Sequence, residues 1–279
     1  MSRRNVVTTS LLIAVVMVSS AATASCTRGG TPTASRSTSP VPTPSRSPSV
    51  SDTRTPAPTA TTPSGVPASL RGKDVEAIPT SRRVVALTFD GGANADGLAF
   101  ILATLDSEGV KATFFLTGDF AKNYPASVKA IVSRGHHLGN HSATHPHLPV
   151  LSDAAIVNQL RIAEAQIRAA GGTDPRPLFR FPFGDRNSHT IAVVNGAGYV
   201  AVRWTVDSLG WKGKAGGGVP EVVARVTGKA RPGEIVLMHV GSNPDDGSTL
   251  DADALPAVIA QLRQGGYGFV TLAALLAPS

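Results

Sequence analysis

The sequence predicts an α/β fold, an irregular (β/α) barrel with mainly parallel strands, preceded by a disordered tether rich in Ser, Thr and Pro. Three observations carry this expectation. From about residue 84 onward, short apolar runs alternate with segments of helical period, the signature of βα units and a parallel sheet. Several of the apolar runs end on a residue able to do chemistry: Asp90, Arg180, Asp207 and His239. The residues before about position 80 have neither property.

The N-terminus carries Arg3 and Arg4, an apolar run from Leu11 to Val18, and small residues up to Cys26, the layout of a secretory signal peptide. The run is too short for a comfortable membrane-spanning helix. Cys26 is the only cysteine, so no intrachain disulfide can form. Its place resembles a lipobox, in which the cysteine receives a lipid anchor, although Thr23 stands where Leu is usual. Ala22-Thr23-Ala24 fits ordinary cleavage and a secreted protein as well. Residues 1–26 are therefore expected to be a signal peptide and 27–80 a tether, too poor in apolar residues to offset its ordering entropy. Residues 81–279 are expected to be the functional domain.

The net charge of +7 raises the question of a nucleic-acid partner. Residues 1–80 hold eight Lys/Arg and three Asp/Glu; the remainder holds eighteen and sixteen. A nearly neutral domain without a basic helix argues against nucleic acid, whereas a basic tail suits an anionic wall or membrane surface.

Within the domain, Val84 to Phe89 reads as a buried strand ending at Asp90-Gly91-Gly92. Leu98, Ile101, Leu102 and Leu105 share one helical face, with Gly109 as the stop. Ala112 to Leu116 is a strand and Ser127 to Ser133 a helix. The next helix is expected to be capped by Asp153 and to end at Gly171-Gly172. There follow a strand at Leu178 to Arg180, a helix around Ile191 to Val194, and a strand from Tyr199 to Val206. The chain then gives a helix from Pro220 to Val226, a strand from Ile235 to Met238, a helix from Leu255 to Leu262 and a strand at Phe269-Val270. In a barrel of parallel strands the C-terminal ends converge on one face, where the active site lies. Each polar strand-end residue has a plain structural explanation taken singly; together they point to a site.

Between residues 136 and 147 the chain carries five histidines. His141 and His145 lie four apart, a spacing that places two imidazoles on one side of a helical turn. Spacing alone leaves metal binding and coincidence equally open, since His137 and His141 share it.

In order along the chain, Thr88-Phe89-Asp90-Gly91-Gly92, His141-Ser142-Ala143-Thr144-His145, Arg180-Phe181-Pro182-Phe183-Gly184, Asp207-Ser208-Leu209-Gly210-Trp211 and Leu237-Met238-His239 resemble the five motifs of the polysaccharide deacetylases of carbohydrate esterase family 4, or NodB-like domains. The resemblance covers about Val84 to Leu276. It implies hydrolysis of acetamide groups on an N-acetylated cell-surface polysaccharide, peptidoglycan or a chitin-like glycan, by a secreted or lipid-anchored, cell-wall-facing monomer. It also implies His141 and His145 as ligands of a divalent metal, zinc first and cobalt as another candidate, with Asp90 as base and His239 as acid. Arg180 would position Asp90, and Asp207 would orient Arg180. The backbone at Phe183 would help bind the oxyanion, and Trp211 and Leu237 would wall the acetate methyl group.

One position departs from the pattern. Where the family has a second Asp as third metal ligand, this chain has Gly91. Asp96 or another carboxylate could replace it, Asp90 could move onto the metal, water could complete a weaker site, or binding could be lost. The rival expectations are an O-acetyl esterase on acetylated glycans and a catalytically weak glycan-binding module.

Overall fold

The computed structural model describes residues 66–276. The signal peptide, Cys26 and most of the expected tether lie outside the described residues.

The fold begins earlier than residue 81. Val66, Leu70, Val75 and Ile78 are buried, and β1 (Asp74–Val75) pairs in parallel with a later strand, β6 (Val200–Val202). In between come β2 (Val84–Gly91), α1 (Leu98–Ser107), β3 (Thr113–Leu116), α2 (Gly118–Asn123), α3 (Pro125–Ser133) and β4 (His137–Asn140). These are followed by α4 (Asp153–Gly171), β5 (Leu178–Phe179) and α5 (Ser188–Gly196). After β6 come β7 (Val206–Asp207), α6 (Val219–Thr227), β8 (Glu234–His239), α7 (Leu250–Gln264) and β9 (Gly268–Phe269). The cap of α4 is Ser152 rather than Asp153: the Ser152 hydroxyl accepts the Ala155 amide at 3.3 Å, and Asp153 occupies the first turn. Gly172 closes that helix with φ of 70°, as a C-terminal glycine should.

The strands form one sheet in the order β1-β6-β5-β4-β3-β2-β8-β7, with β9 also against β2, and every strand pair is parallel. The single strand expected over 199–206 is two, because the chain changes ends of the sheet there. β6 lies beside the end strand β1 on one side of the strand order and β7 ends the other, yet only residues 203–205 join them. The sheet must therefore curl until its ends nearly meet, which makes it an incomplete barrel. In that crossing the Arg203 amide donates to Val75 and the Thr205 amide to Ile235, so one short link is tied to both ends.

Strand alternation divides the side chains into two populations. Along β2, Val85, Leu87 and Phe89 pack with α1 and α7 residues in the main core, whereas Ala86 packs with Phe115, Ile235 and Val200 inside the barrel. β8 alternates likewise, with Val236 and Met238 outward and Ile235 inward. This period of two sends Asp90, Leu237 and His239 to the interior at the C-terminal end of the sheet. It sends Gly91 to the outer, helix-covered layer.

Candidate active site

A cavity of about 670 Å³ opens at the C-terminal ends of the strands, lined by Asp90, His141, His145, Phe183, Asp207, Trp211, Leu237 and His239 among others. Eight of the nine residues expected from sequence thus reach one cavity; the ninth, Arg180, lies directly beneath it.

Arg180 is fully buried at the end of β5. Its Nη1 donates to Asp90 Oδ1 at 2.7 Å, Nη2 to the Arg203 carbonyl at 3.0 Å and Nε to the Val202 carbonyl at 3.4 Å. The guanidinium also lies 4.1 Å over the Phe115 ring. That ring fits because residue 139 is glycine: a Cβ there would come within 2.5 Å of it. Burial would raise the Asp90 carboxyl, but the Arg180 charge and hydrogen bond, with the His239 charge, outweigh it and hold it below the usual range. Asp90 is thus an ionised carboxylate at 7% exposure.

The histidine pair is not helical, contrary to the spacing argument. β4 ends at Asn140, and Ser142 and His145 both take positive φ, 67° and 60°, so the segment is a tight irregular loop. Tertiary contacts impose this shape. Buried Asn140 accepts the Ser142 amide while its own amide donates to the Leu160 carbonyl and the Tyr199 hydroxyl. Gln159 on α4 accepts the amides of Ala143 and Thr144, and the Ser142 hydroxyl accepts the His145 amide.

The result still brings the two rings together, 4.8 Å apart and edge to face. His141 Nδ1 is 2.8 Å from the Arg180 carbonyl. A carbonyl only accepts, so Nδ1 carries the proton and the Nε2 lone pair is free. Nε2 lies 3.4 Å from Asp90 Oδ2. Burial lowers both histidines, His145 to about 4, so both are neutral imidazoles near neutral pH.

This donor chemistry fits a divalent cation, but only two nitrogens are offered. Among the described residues no group of three or more His, Cys, Asp or Glu side chains is arranged to hold a metal. The expected substitute Asp96 is engaged elsewhere: Ser242 Oγ donates to it at 2.6 Å, and it does not line the cavity. Gly91 does not line the cavity either. A Cβ there would meet Leu116 Cδ2 at 2.7 Å and Phe120 at 3.5 Å, on the helix-covered side. Besides Asp90, the carboxylates lining the cavity are Asp119 and Asp207, and Asp119 is solvent-exposed at the start of α2.

Asp207 acts on Arg180 through its charge and makes no hydrogen bond to it. Its Oδ1 accepts the Leu209 amide at 2.8 Å, and the Val202 and Arg203 carbonyls do the orienting. Burial foremost raises the Asp207 carboxyl. Leu237 is buried and lines the cavity, but Trp211 is 47% exposed at its rim, with its carbonyl accepting from Asn243. Phe183 has φ of 58° and is 61% exposed, its ring stacked 4.1 Å from His147 and edge-on to His145.

His239 ends β8 in direct register with Asp90 on β2. Asp251 on α7 accepts the His239 amide at 2.8 Å, and the same oxygen is 3.4 Å from His239 Nδ1. Burial would lower the His239 pKa, but the Asp251 hydrogen bond and charge, with Asp90 and Asp207, hold it above the ordinary value. The sequence reading missed Asp251, Asn140 and Asp119, which belong to none of the motifs.

A family profile described as polysaccharide deacetylase matches residues 77–202. A peptidoglycan-N-acetylglucosamine deacetylase of Bacillus cereus is 33% identical over 201 residues, covering 72% of this chain and 71% of that protein. The chain belongs to the polysaccharide deacetylase family. A chitooligosaccharide deacetylase of Sinorhizobium fredii is 33% identical over 64% of this deacetylase-family chain and 82% of its own. Among solved structures, a peptidoglycan N-acetylglucosamine deacetylase bound to a hydroxamate-type benzamide superposes with a TM-score of 0.66 at 32% identity, covering 72% and 91% of the two chains. A carbohydrate esterase family 4 pseudoenzyme from Bacillus anthracis superposes with a TM-score of 0.64 at 32% identity, covering 70% and 66%.

Proposed function

We propose that this family member hydrolyses N-acetyl groups on a cell-surface polysaccharide, peptidoglycan or a chitin-like glycan, releasing acetate. The observation that carries the proposal is the pairing of an ionised Asp90, held by Arg180, with His239 in register on the adjacent strand, both facing one cavity.

In this reading Asp90 takes a proton from the attacking water as the water oxygen bonds to the acetyl carbon. His239 gives a proton to the amide nitrogen as the C–N bond breaks, so acetate and a free amine leave. Arg180 keeps Asp90 ionised and aimed. The Phe183 backbone faces the developing oxyanion, and Leu237 and Trp211 bound the acetate methyl from the floor and the rim. His141 and His145 would hold a divalent cation, zinc first, through Nε2 of His141 and the neutral ring of His145. Such a cation supplies Lewis-acid polarisation and a more acidic water.

Outside the described residues, the proposal includes a signal peptide at 1–26, an anchor at Cys26 or simple secretion, and a tether reaching into the wall. The test is acetate release by the full chain from N-acetylated chitooligosaccharide and peptidoglycan, with acetylated xylan as the ester control. Release from xylan alone would replace the amidase reading with an esterase.

A second reading, glycan binding without turnover, is favoured by Gly91 and by the two-nitrogen donor set. Saturable binding of chitooligosaccharide with no acetate release under any added metal would establish it.

A further inference from the structure

Asp251 is 3% exposed and lies outside the five motifs and off the cavity wall. Among the described residues the only cationic group within 4.0 Å of it is His239. One oxygen, Oδ2, serves both the backbone and the ring of His239, at 2.8 and 3.4 Å. The other, Oδ1, has no hydrogen-bond partner among the described residues. Residue 210 leaves room for it: a Cβ at Gly210 would stand 2.3 Å from Oδ1, so this glycine, directly before Trp211 in the fourth motif, is what lets the carboxylate sit there.

The plain alternative is that Asp251 merely favours the N-terminus of α7, where it occupies the first turn with Asp253. A helix-terminal acid gains its few tenths to one kcal/mol at the surface, as exposed Asp253 does, without burial. Burying a carboxylate costs several kcal/mol unless a specific partner compensates, and His239 is the partner present.

We propose that Asp251 is a positioning residue for His239, keeping the proton on Nδ1 so that Nε2 is the atom that delivers a proton to the leaving amine. The proposal rests on the reading of His239 as the acid. The Nε2 proton passes to the amine nitrogen, which keeps the electron pair of the broken C–N bond. The imidazole is left neutral with Nδ1–H toward Asp251.

The experiment compares full-length wild type with Asp251→Asn, His239→Ala and the double variant, each checked for fold by circular dichroism. Acetate release is measured on chitooligosaccharide, and the His239 ring-nitrogen shifts by NMR. Asp251→Asn should lower kcat on the order of 10²-fold with KM within about twofold. The double variant should be no slower than His239→Ala alone, because the two residues act as a unit. The NMR shifts should report Nδ1–H in the wild type and a tautomer mixture in Asp251→Asn. Losses that multiply in the double variant, or ring shifts unchanged by Asp251→Asn, would overturn the positioning role. Wild-type release by His239→Ala would instead overturn the acid assignment, and the ring shifts would still decide whether Asp251 sets the tautomer.

Discussion

Replacing Arg180 with Met keeps the volume and removes the charge. Arg180 is wholly buried and donates to Asp90, Val202 and Arg203. Its loss leaves Asp90 as a buried carboxylate without its main partner. Breaking a buried pair from one side costs about 3–5 kcal/mol. For a domain of this size each kcal/mol moves Tm by roughly 2–4 °C, so a drop of about 6–20 °C is expected at pH 7 in chelated protein. The sign with pH follows from Asp90. In the wild type its carboxyl is held low, so the pair's stabilisation is present above the usual carboxylate range and is lost as pH falls through the lowered value. In the variant, Asp90 can escape its penalty by taking a proton. The stability gap should therefore narrow as the pH is lowered. Urea melts of both proteins across pH measure it. A gap under about 1 kcal/mol at pH 7, or one that widens in acid, would refute the claim that Arg180 holds Asp90 ionised.

Two further predictions lie at and away from the site. Burial raises the Glu234 carboxyl to about 7 from its usual 4.5; the Arg231 amide, donating to Oε2 at 3.2 Å, offsets this only in part, and Oε1 has no partner among the described residues. Its stability contribution is thus full below pH 4.5 and is lost as pH rises to 7, by about 3 kcal/mol. Glu234→Gln should flatten the unfolding free energy over that window, and an unchanged pH slope in urea melts would count against it. Gly91→Asp should destabilise chelated protein by about 1–3 kcal/mol, since its Cβ must displace Leu116. Because its side chain starts on the helix-covered side, it should leave zinc affinity within about twofold of wild type rather than supply a third ligand. Calorimetric titration showing zinc bound roughly tenfold or more tighter by the variant would mean that residue 91 does reach the histidine pair.

The sheet was legible in the sequence because buried parallel strands are continuous apolar runs, as in Val84 to Phe89. β1 and β4 were not. Asp74–Val75 is two residues long, and His137-Leu138-Gly139-Asn140 lacks β-forming residues; both are strands because of what lies beside them. The site was legible through the strand-end residues, since the pleat and the parallel arrangement bring Asp90 and His239 into register. Where the sequence misled, tertiary contacts overrode local pattern. Asn140 and Gln159 pull the histidine segment into a loop with two positive φ angles. Asp251 finds His239 only through the packing of α7.

The central claim is metal-dependent amide hydrolysis by Asp90 and His239. Its most direct measurement is acetate release from N-acetylated chitooligosaccharide by the full chain, after chelation and again after adding zinc. Chelated wild type should give no release and added zinc should restore it, whereas His141→Ala should give none with or without zinc. Full release from chelated protein, or release by His141→Ala equal to wild type, would contradict the claim.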